Sequence, residues 1–288
     1  MGIRKVLALG PGAILFILMH VAALAVFRVP FSWGLVWLCL GLYWLRMFAI
    51  TAGYHRYFAH RSYKTSRIFQ FLLAFIGASS LQKGPLWWAG HHLHHHRFSD
   101  QEEDLHSPLR DGFWWSHVGW ILSHRYDATP EHLIKDFVKY PELRWLNRWH
   151  AVPGILLAIV LVLFGGWPAF VWGFLVSTVL TWHATFAINS LTHLFGRIRY
   201  QTTDTSRNSM WLALLTLGEG WHNNHHYYQT STRQGFFWWE LDISYLILKA
   251  LSIPHIVWGL REPPERVLSA NRVDGKNAAA EVHTPATA

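Results

Sequence analysis

Cysteine is almost missing: Cys39 is the single one in 288 residues. A disulfide scaffold is excluded, and because Cys39 sits inside an apolar run it carries no information about redox compartment. Charge is also scarce, at 15% of residues, against ~25% in an ordinary soluble domain. Disorder is excluded in turn by 51% hydrophobic and 16% aromatic content. What the chain has instead is 20 His, more than its 17 Asp plus Glu, and 18 Trp. Bulk composition does not account for that histidine excess.

The hydrophobic residues come in runs. The first, Val6 to Phe27, is about 22 residues, enough to cross a ~30 Å hydrocarbon core as a helix. Arg4 and Lys5 before it resemble a signal-peptide start, but the run exceeds the usual ~7–15-residue signal core and another follows at once. The second runs from Phe31 to about Gly53 after the Arg28-Val29-Pro30 connection, and its Arg46 is expected to face the bundle or reach the cap. Two more fill Ala151 to Ser190, broken by the turn signal Gly165-Gly166-Trp167-Pro168. The expected fold is an all-α membrane protein. Its four transmembrane helices, residues 6–27, 31–53, 151–166 and 168–190, form two hairpins under a cytoplasmic helical cap of residues 54–150 and 192–262.

Lys and Arg set the orientation. One basic residue, Arg28, lies in the first hairpin turn and none in the second, whereas the opposite side carries Arg4, Lys5, Arg56, Arg61, Lys64, Arg67, Lys83, Arg148, Arg197 and Arg199. Both termini and the polar segments therefore belong in the cytoplasm, as in a bacterial-type inner membrane. The net charge of +8 suits a face against anionic lipid headgroups; no nucleic-acid partner is expected. Ile68–Leu81 is apolar but too short to span, so it reads as a cap helix. Leu241–Leu251, after Phe236-Phe237-Trp238-Trp239, reads as an interfacial helix. Order is expected to end at Pro263-Pro264, leaving 263–288 as a tail.

The histidines concentrate beside the span ends. His55 and His60 are spaced HxxxxH; His91, His92, His94, His95 and His96 form a second cluster; His193 follows the fourth span; His222, His225 and His226 form the last. On an α-helix, positions i, i+3 and i+4 share one face, so each HxxHH can aim three imidazoles at one point. HHLHHH satisfies that spacing in two registers, as His91/His94/His95 or His92/His95/His96. Asn189 and His193, four apart, project together. His55 and His60 would diverge by ~140° on a straight α-helix, so one of them is expected past a helix end. Nine imidazoles without a cysteine cluster point to a nitrogen-bound transition metal, too many for one ion and right for two. Iron is the metal that activates O₂ at C–H bonds. His20, His106, His117, His124, His132, His150, His183, His255 and His283 read as ordinary hydrogen-bonded residues.

The boxes HRYFAH (55–60), HHLHHHRF (91–98), NSLTHLFG (189–196) and GEGWHNNHH (218–226) resemble those of the membrane fatty acyl desaturases, nearest the Δ9 acyl-CoA (stearoyl-CoA) type. The likeness covers about residues 31–262. It implies two iron ions held by His55, His60, His92, His95, His96, His193, His222, His225 and His226, with Asn189 reaching metal through water. Trp88-Ala89 before the second box and Arg97-Phe98 after it fix that register. Leu93 stands where the family usually has Arg or Lys, which leaves the local acyl-carrier contacts open, and His91 and His94 become outer partners of the ligands. Asp100 and Glu219 are the nearest carboxylates for imidazole N–H groups, with Glu102, Glu103 and Asp104 also close.

The resemblance further implies O₂ as co-substrate and an acyl chain, on CoA or a lipid, from which two vicinal hydrogens are removed to give a cis alkene. The chain contains no cytochrome b5-like segment, so a separate cytochrome b5-, ferredoxin- or rubredoxin-like donor with its reductase is expected. Tyr43 and Met47, i and i+4 below His55, are expected to form the floor of an apolar tunnel. Trp88 and Trp120, with Trp87, Trp114 and Trp115, are expected along its walls. The competing reading is a membrane di-iron hydroxylase or alkane monooxygenase, against which the HxxxxH box and the GEGWHNNHH context argue.

Overall fold

The structure is a computed structural model that describes residues 11–273. The start of the first apolar run, Arg4, Lys5, His283 and the stretch Asn277–Ala288 lie outside the described residues.

The described residues are mostly helical, with little strand. Their named strands are Lys64–Thr65 and Val257–Trp258, antiparallel with Lys64 opposite Trp258, which tie two loops of the polar cap together. Helix α1 (Pro11–Ala23) runs into a tighter turn, Leu24–Arg28. Helix α2 (Trp33–Phe48) continues without a break into a π-helical segment, Ala49–Ala59. The apolar cap segment forms α3 (Arg67–Ala78), started by Ser66, whose hydroxyl accepts the Phe69 N–H at 3.2 Å. It buries Leu73, Ala74, Gly77 and Ala78 against the π-helical part of α2. Helix α4 (Pro85–Phe98) carries the second histidine box, and α5 (Pro141–Arg148) packs beside it.

Among the described residues, two helices are long and apolar enough to cross a membrane, Trp33–Ala59 and Val152–Leu191. The second is not one rod. Gly166, at φ 63° and ψ −163°, breaks it within α6 (Val152–Ala169), and a π-helical stretch, Phe170–Val176, then leads to α7 (Ser177–Leu191). The arms fold back on each other, so that Leu161 packs directly on Gly173. The break falls at the expected Gly-Gly-Trp-Pro signal, because a positive φ suits glycine and Pro168 cannot donate into the preceding turn. Ile14, Ile17 and Leu18 on α1 and Leu163 and Phe164 on α6 are exposed, an apolar surface suited to hydrocarbon.

Arg46 faces the bundle. It is 1% exposed and donates to Thr178 Oγ1 at 2.7 Å, to the Leu42 carbonyl at 3.1 Å and to Ser177 Oγ. His20, His183 and His117 are likewise satisfied locally. His20 Nε2 lies 2.8 Å from His183 Nε2, His183 Nδ1 lies 3.0 Å from His117 Nε2, and His117 Nδ1 meets Ser190 Oγ at 2.9 Å.

One expectation needs correction. Order does not end at Pro263: Glu265–Ser269 forms a helical turn, Arg272 pairs with Tyr200, and Val273 N–H donates to the Arg199 carbonyl at 2.8 Å. Pro264 caps that turn, a position at which the missing proline N–H costs nothing.

Short helical segments occupy parts of 108–138, and the later helices are α8 (Met210–Leu215), α9 (His222–Tyr227) and α10 (Ile243–Ser252). In α10, Tyr245 and Leu248 are buried while Leu246 and Lys249 face out.

Candidate metal centre

The first box owes its geometry to the π-helix. In that helix the bond runs from residue i+5 to i, and His60 N–H donates to the His55 carbonyl at 3.1 Å. Residues five apart therefore stack on one face instead of diverging, and the two rings lie 4.8 Å apart. His60 is the residue that ends the segment.

The second box is placed by the start of α4. Asn147 Oδ1 accepts the Trp87 N–H at 2.8 Å, and a Cβ on Gly84 would lie 2.4 Å from that oxygen, so only glycine fits there. The third box sits on the short α9, pinned by its two asparagines. Asn223 Oδ1 accepts from the N–H groups of Arg199 and Tyr200, each at 2.8 Å, and Asn224 Nδ2 donates to Glu240 Oε2 at 2.9 Å. Gly218, at φ 127°, makes the turn into this box. His193 lies two residues beyond α7.

These elements gather the histidines into two groups, His55, His60, His92, His96 and His225, and His95, His193, His222 and His226. Within each group the ring nitrogens all lie within 4.8 Å of one another. Nε2 of His225 lies 2.9 Å from that of His55 and also from that of His96; the His60 and His92 pair matches it, and the His193 and His222 nitrogens are 3.2 Å apart. Nitrogens at ~2.0–2.1 Å from one ion and at right angles would be about this far apart.

The residues of the second box that enter these groups are His92, His95 and His96. His91 and His94 lie outside them: His91 Nδ1 donates to the Trp87 carbonyl and His94 Nε2 to the Glu103 carbonyl, both at 2.9 Å. Asn189 joins neither group; it lines two adjoining cavities beside them.

Carboxylates fix the rings from behind. His55 Nδ1 donates to Glu219, His95 Nδ1 to Asp104 at 2.9 Å, His193 Nδ1 to Asp100 at 3.1 Å and His226 Nδ1 to Asp204 at 2.5 Å. Each leaves Nε2 free for metal. His226 Nε2 is buried without a partner, as a ligand atom would be. Asp100 and Glu219 are where the sequence placed them. Asp204 carried no sequence signal, because the loop between α7 and α8 brings it in from 22 residues away. Gln234, 3.3 Å from His55 Nδ1, was equally silent. His106 stacks on His95 at 4.3 Å and lines the cavity.

Burial, reinforced by repulsion between neighbouring imidazoles, holds His60, His92, His96, His222 and His225 well below the ordinary histidine range. They are neutral, the form that binds metal. Burial opposes a charge on His95 too, but Asp104 outweighs it and raises His95. Burial alone would raise Asp100, Asp104, Asp204 and Glu219; their imidazole partners hold all four below the carboxylate range.

A cavity of about 400 Å³ reaches the centre from the polar side, running from Lys83, His124 and Asp127 past Trp87, Trp120 and Phe186 to Trp88, His92 and Asn189. A smaller chamber of about 40 Å³ shares Trp88, His92, Thr185 and Asn189 with it and ends at Met47, Ile50 and Thr51. Met47, expected in the floor of a tunnel, lines this chamber. Tyr43 lies beneath it, packed on Met47 with its hydroxyl on the Leu215 carbonyl at 2.5 Å, and does not itself line the chamber. Trp87, Trp88 and Trp120 line the cavity; Trp114 is 73% exposed, and Trp115 donates to the Leu105 carbonyl instead.

The family model described as fatty acid desaturase matches residues 31–255. Among curated relatives, an sn-1 stearoyl-lipid 9-desaturase of Anabaena variabilis is 39% identical, covering 83% of this chain and 88% of its own length. An acyl-CoA 5-desaturase of Anemone leveillei is 37% identical over 86% of this chain and 78% of its own. A chloroplastic palmitoyl-monogalactosyldiacylglycerol delta-7 desaturase of Arabidopsis thaliana is 35% identical over 91% and 71%. With the family model spanning most of its length and its four histidine segments converging on one centre, the chain belongs to the fatty acid desaturase family.

Proposed function

We propose that this desaturase inserts a cis double bond at carbon 9 of a saturated acyl chain, using O₂, two iron ions and two electrons from a separate carrier. The observation that carries the reading is an apolar cavity that shares Trp88, His92, Thr185 and Asn189 with a small chamber lined by Met47 and by members of both histidine groups. Position 9 is supported by the 9-desaturase names among the relatives, alongside others named for positions 5 and 7.

The nine histidines, with Asn189 through water, would hold the two irons, which when bound supply activation of O₂ toward an unactivated C–H bond. The protein does the rest. Glu219, Asp104, Asp100 and Asp204 hold the ring orientations. Trp88 and Thr185 border both cavities, so they flank the methylenes presented to the centre, and Met47 limits how far the methyl end penetrates. The apolar walls exclude water from the reacting carbons. In the membrane, α1, α2, α6 and α7 are proposed to make four crossings, with the centre and both termini on the cytoplasmic side.

Expression in a host without such desaturases, with double-bond location by mass spectrometry, tests the reading. An alkene supports it; a hydroxylated chain supports the monooxygenase alternative; a profile equal to that of a His225→Ala control overturns it.

A further inference from the structure

The outward face of α5 repeats an arginine–tryptophan pair at helical spacing, Arg144-Trp145 and Arg148-Trp149. Its inward face is fully buried through Leu143 and Leu146. Trp145 and Trp149 are 46% and 52% exposed, and the four residues border a cleft of about 430 Å³. Among the described residues neither arginine has a carboxylate within ion-pair distance, unlike Arg61 with Asp136 and Arg67 with Glu142. Glu131 borders the same cleft without pairing.

Position makes this face more than a solvated one. It directly precedes Val152, where the apolar α6 begins, so it lies at the boundary between polar cap and apolar helices. Exposed tryptophans favour such an interface, and paired guanidiniums match a phosphate. Next in sequence to Trp149, His150 lines the acyl cavity together with Lys83. The cleft and the cavity mouth are thus neighbours across one residue.

We propose that Arg144 and Arg148 bind the phosphate of a glycerophospholipid, and that the acyl chain is desaturated while attached to that lipid. This rests on the desaturase reading. Phosphate chemistry is shared with CoA, but charge favours the lipid. Lys83 at the mouth is already paired with Asp127 at 3.0 Å, and His124 bonds the same carboxylate. Within the cleft CoA, with its several phosphate charges, would meet Glu131 with only these two guanidiniums, whereas one phosphodiester is matched by them.

The test is native mass spectrometry of the full-length, iron-loaded protein with distearoyl phosphatidylglycerol as probe and CoA as competitor. The wild type should retain the phospholipid against excess CoA, and the Arg144→Gln/Arg148→Gln double variant should bind it at least about tenfold more weakly. A double Lys variant, which keeps charge but loses the guanidinium fork, should lie between. Displacement by CoA, or equal lipid retention by the Gln variant and the wild type, overturns the proposal. The same protein in nanodiscs, with reductant supplied, should desaturate stearoyl chains on phospholipid and not added stearoyl-CoA. Conversion of the CoA ester alone would overturn the lipid assignment and leave the desaturase reading intact; an absence of alkene in cells would remove the desaturase reading, whatever the lipid binding.

Discussion

Glu219 accepts the His55 Nδ1–H with one carboxylate oxygen and the buried Arg56 guanidinium at 3.0 Å with the other. Arg56, 0% exposed, also bonds Asp242 at 2.9 Å, so one guanidinium neutralises two buried carboxylates behind the first histidine box. Replacing Arg56 by Met leaves both acids uncompensated. The expected loss is about 3–5 kcal/mol of stability, read as a drop in thermal unfolding temperature of the purified protein. An unchanged unfolding temperature would show that the pairing is not structural.

Glu219→Gln keeps the shape but removes the charge behind His55. Iron affinity or activity should fall about 10–100-fold, with Asp204→Asn giving a loss of the same order through His226. Iron titration of both variants separates this from simple misfolding, since Glu102→Gln, on the surface, should titrate like the wild type.

The two registers of the second box make opposite predictions. His96→Ala should abolish alkene formation, whereas His94→Ala, which loses only a bond to the Glu103 carbonyl, should keep most of it. Fatty acid profiles of cells expressing each variant decide between them.

Met47→Ala deepens the chamber by about the volume of three heavy atoms. Chain-length preference should move toward longer acyl chains, and Met47→Phe should move it toward shorter ones. A competition assay with mixed chain lengths that gives wild-type ratios for both would remove Met47 from the floor.

The iron-free protein should be acid-sensitive. His60, His92, His96, His222 and His225 are held below their ordinary value. Below about pH 6.5 the unfolded chain therefore takes up protons that the folded chain refuses. Stability should be full above that pH and fall as pH decreases, by about 1.4 kcal/mol per pH unit for each such group. Denaturant unfolding of iron-free protein from pH 8 to 5 measures the slope; a flat profile would contradict neutral, buried imidazoles.

Much of this centre was legible because metal ligation imposes spacing: the two HxxHH boxes and the Asn189/His193 pair are local geometry on helices. The His55/His60 pair was only half legible. The sequence showed that a straight α-helix could not align them, but no residue announces the π-helix that Ala49–Ala59 forms where it packs on α3. Asp204, Gln234 and His106 were not legible at all, since each arrives through loop closure. Helix breaks at Gly166 were visible as glycine and proline chemistry. Pro263-Pro264 misled, because the same residues that stop one helix can start another.

The most direct test of the account is a metal count on purified protein. Iron per chain should be close to two in the wild type and fall toward one in both His225→Ala and His222→Ala, which remove a ligand from different groups. One iron or fewer in the wild type, or a count unchanged by both substitutions, would contradict a two-metal centre divided between these histidines.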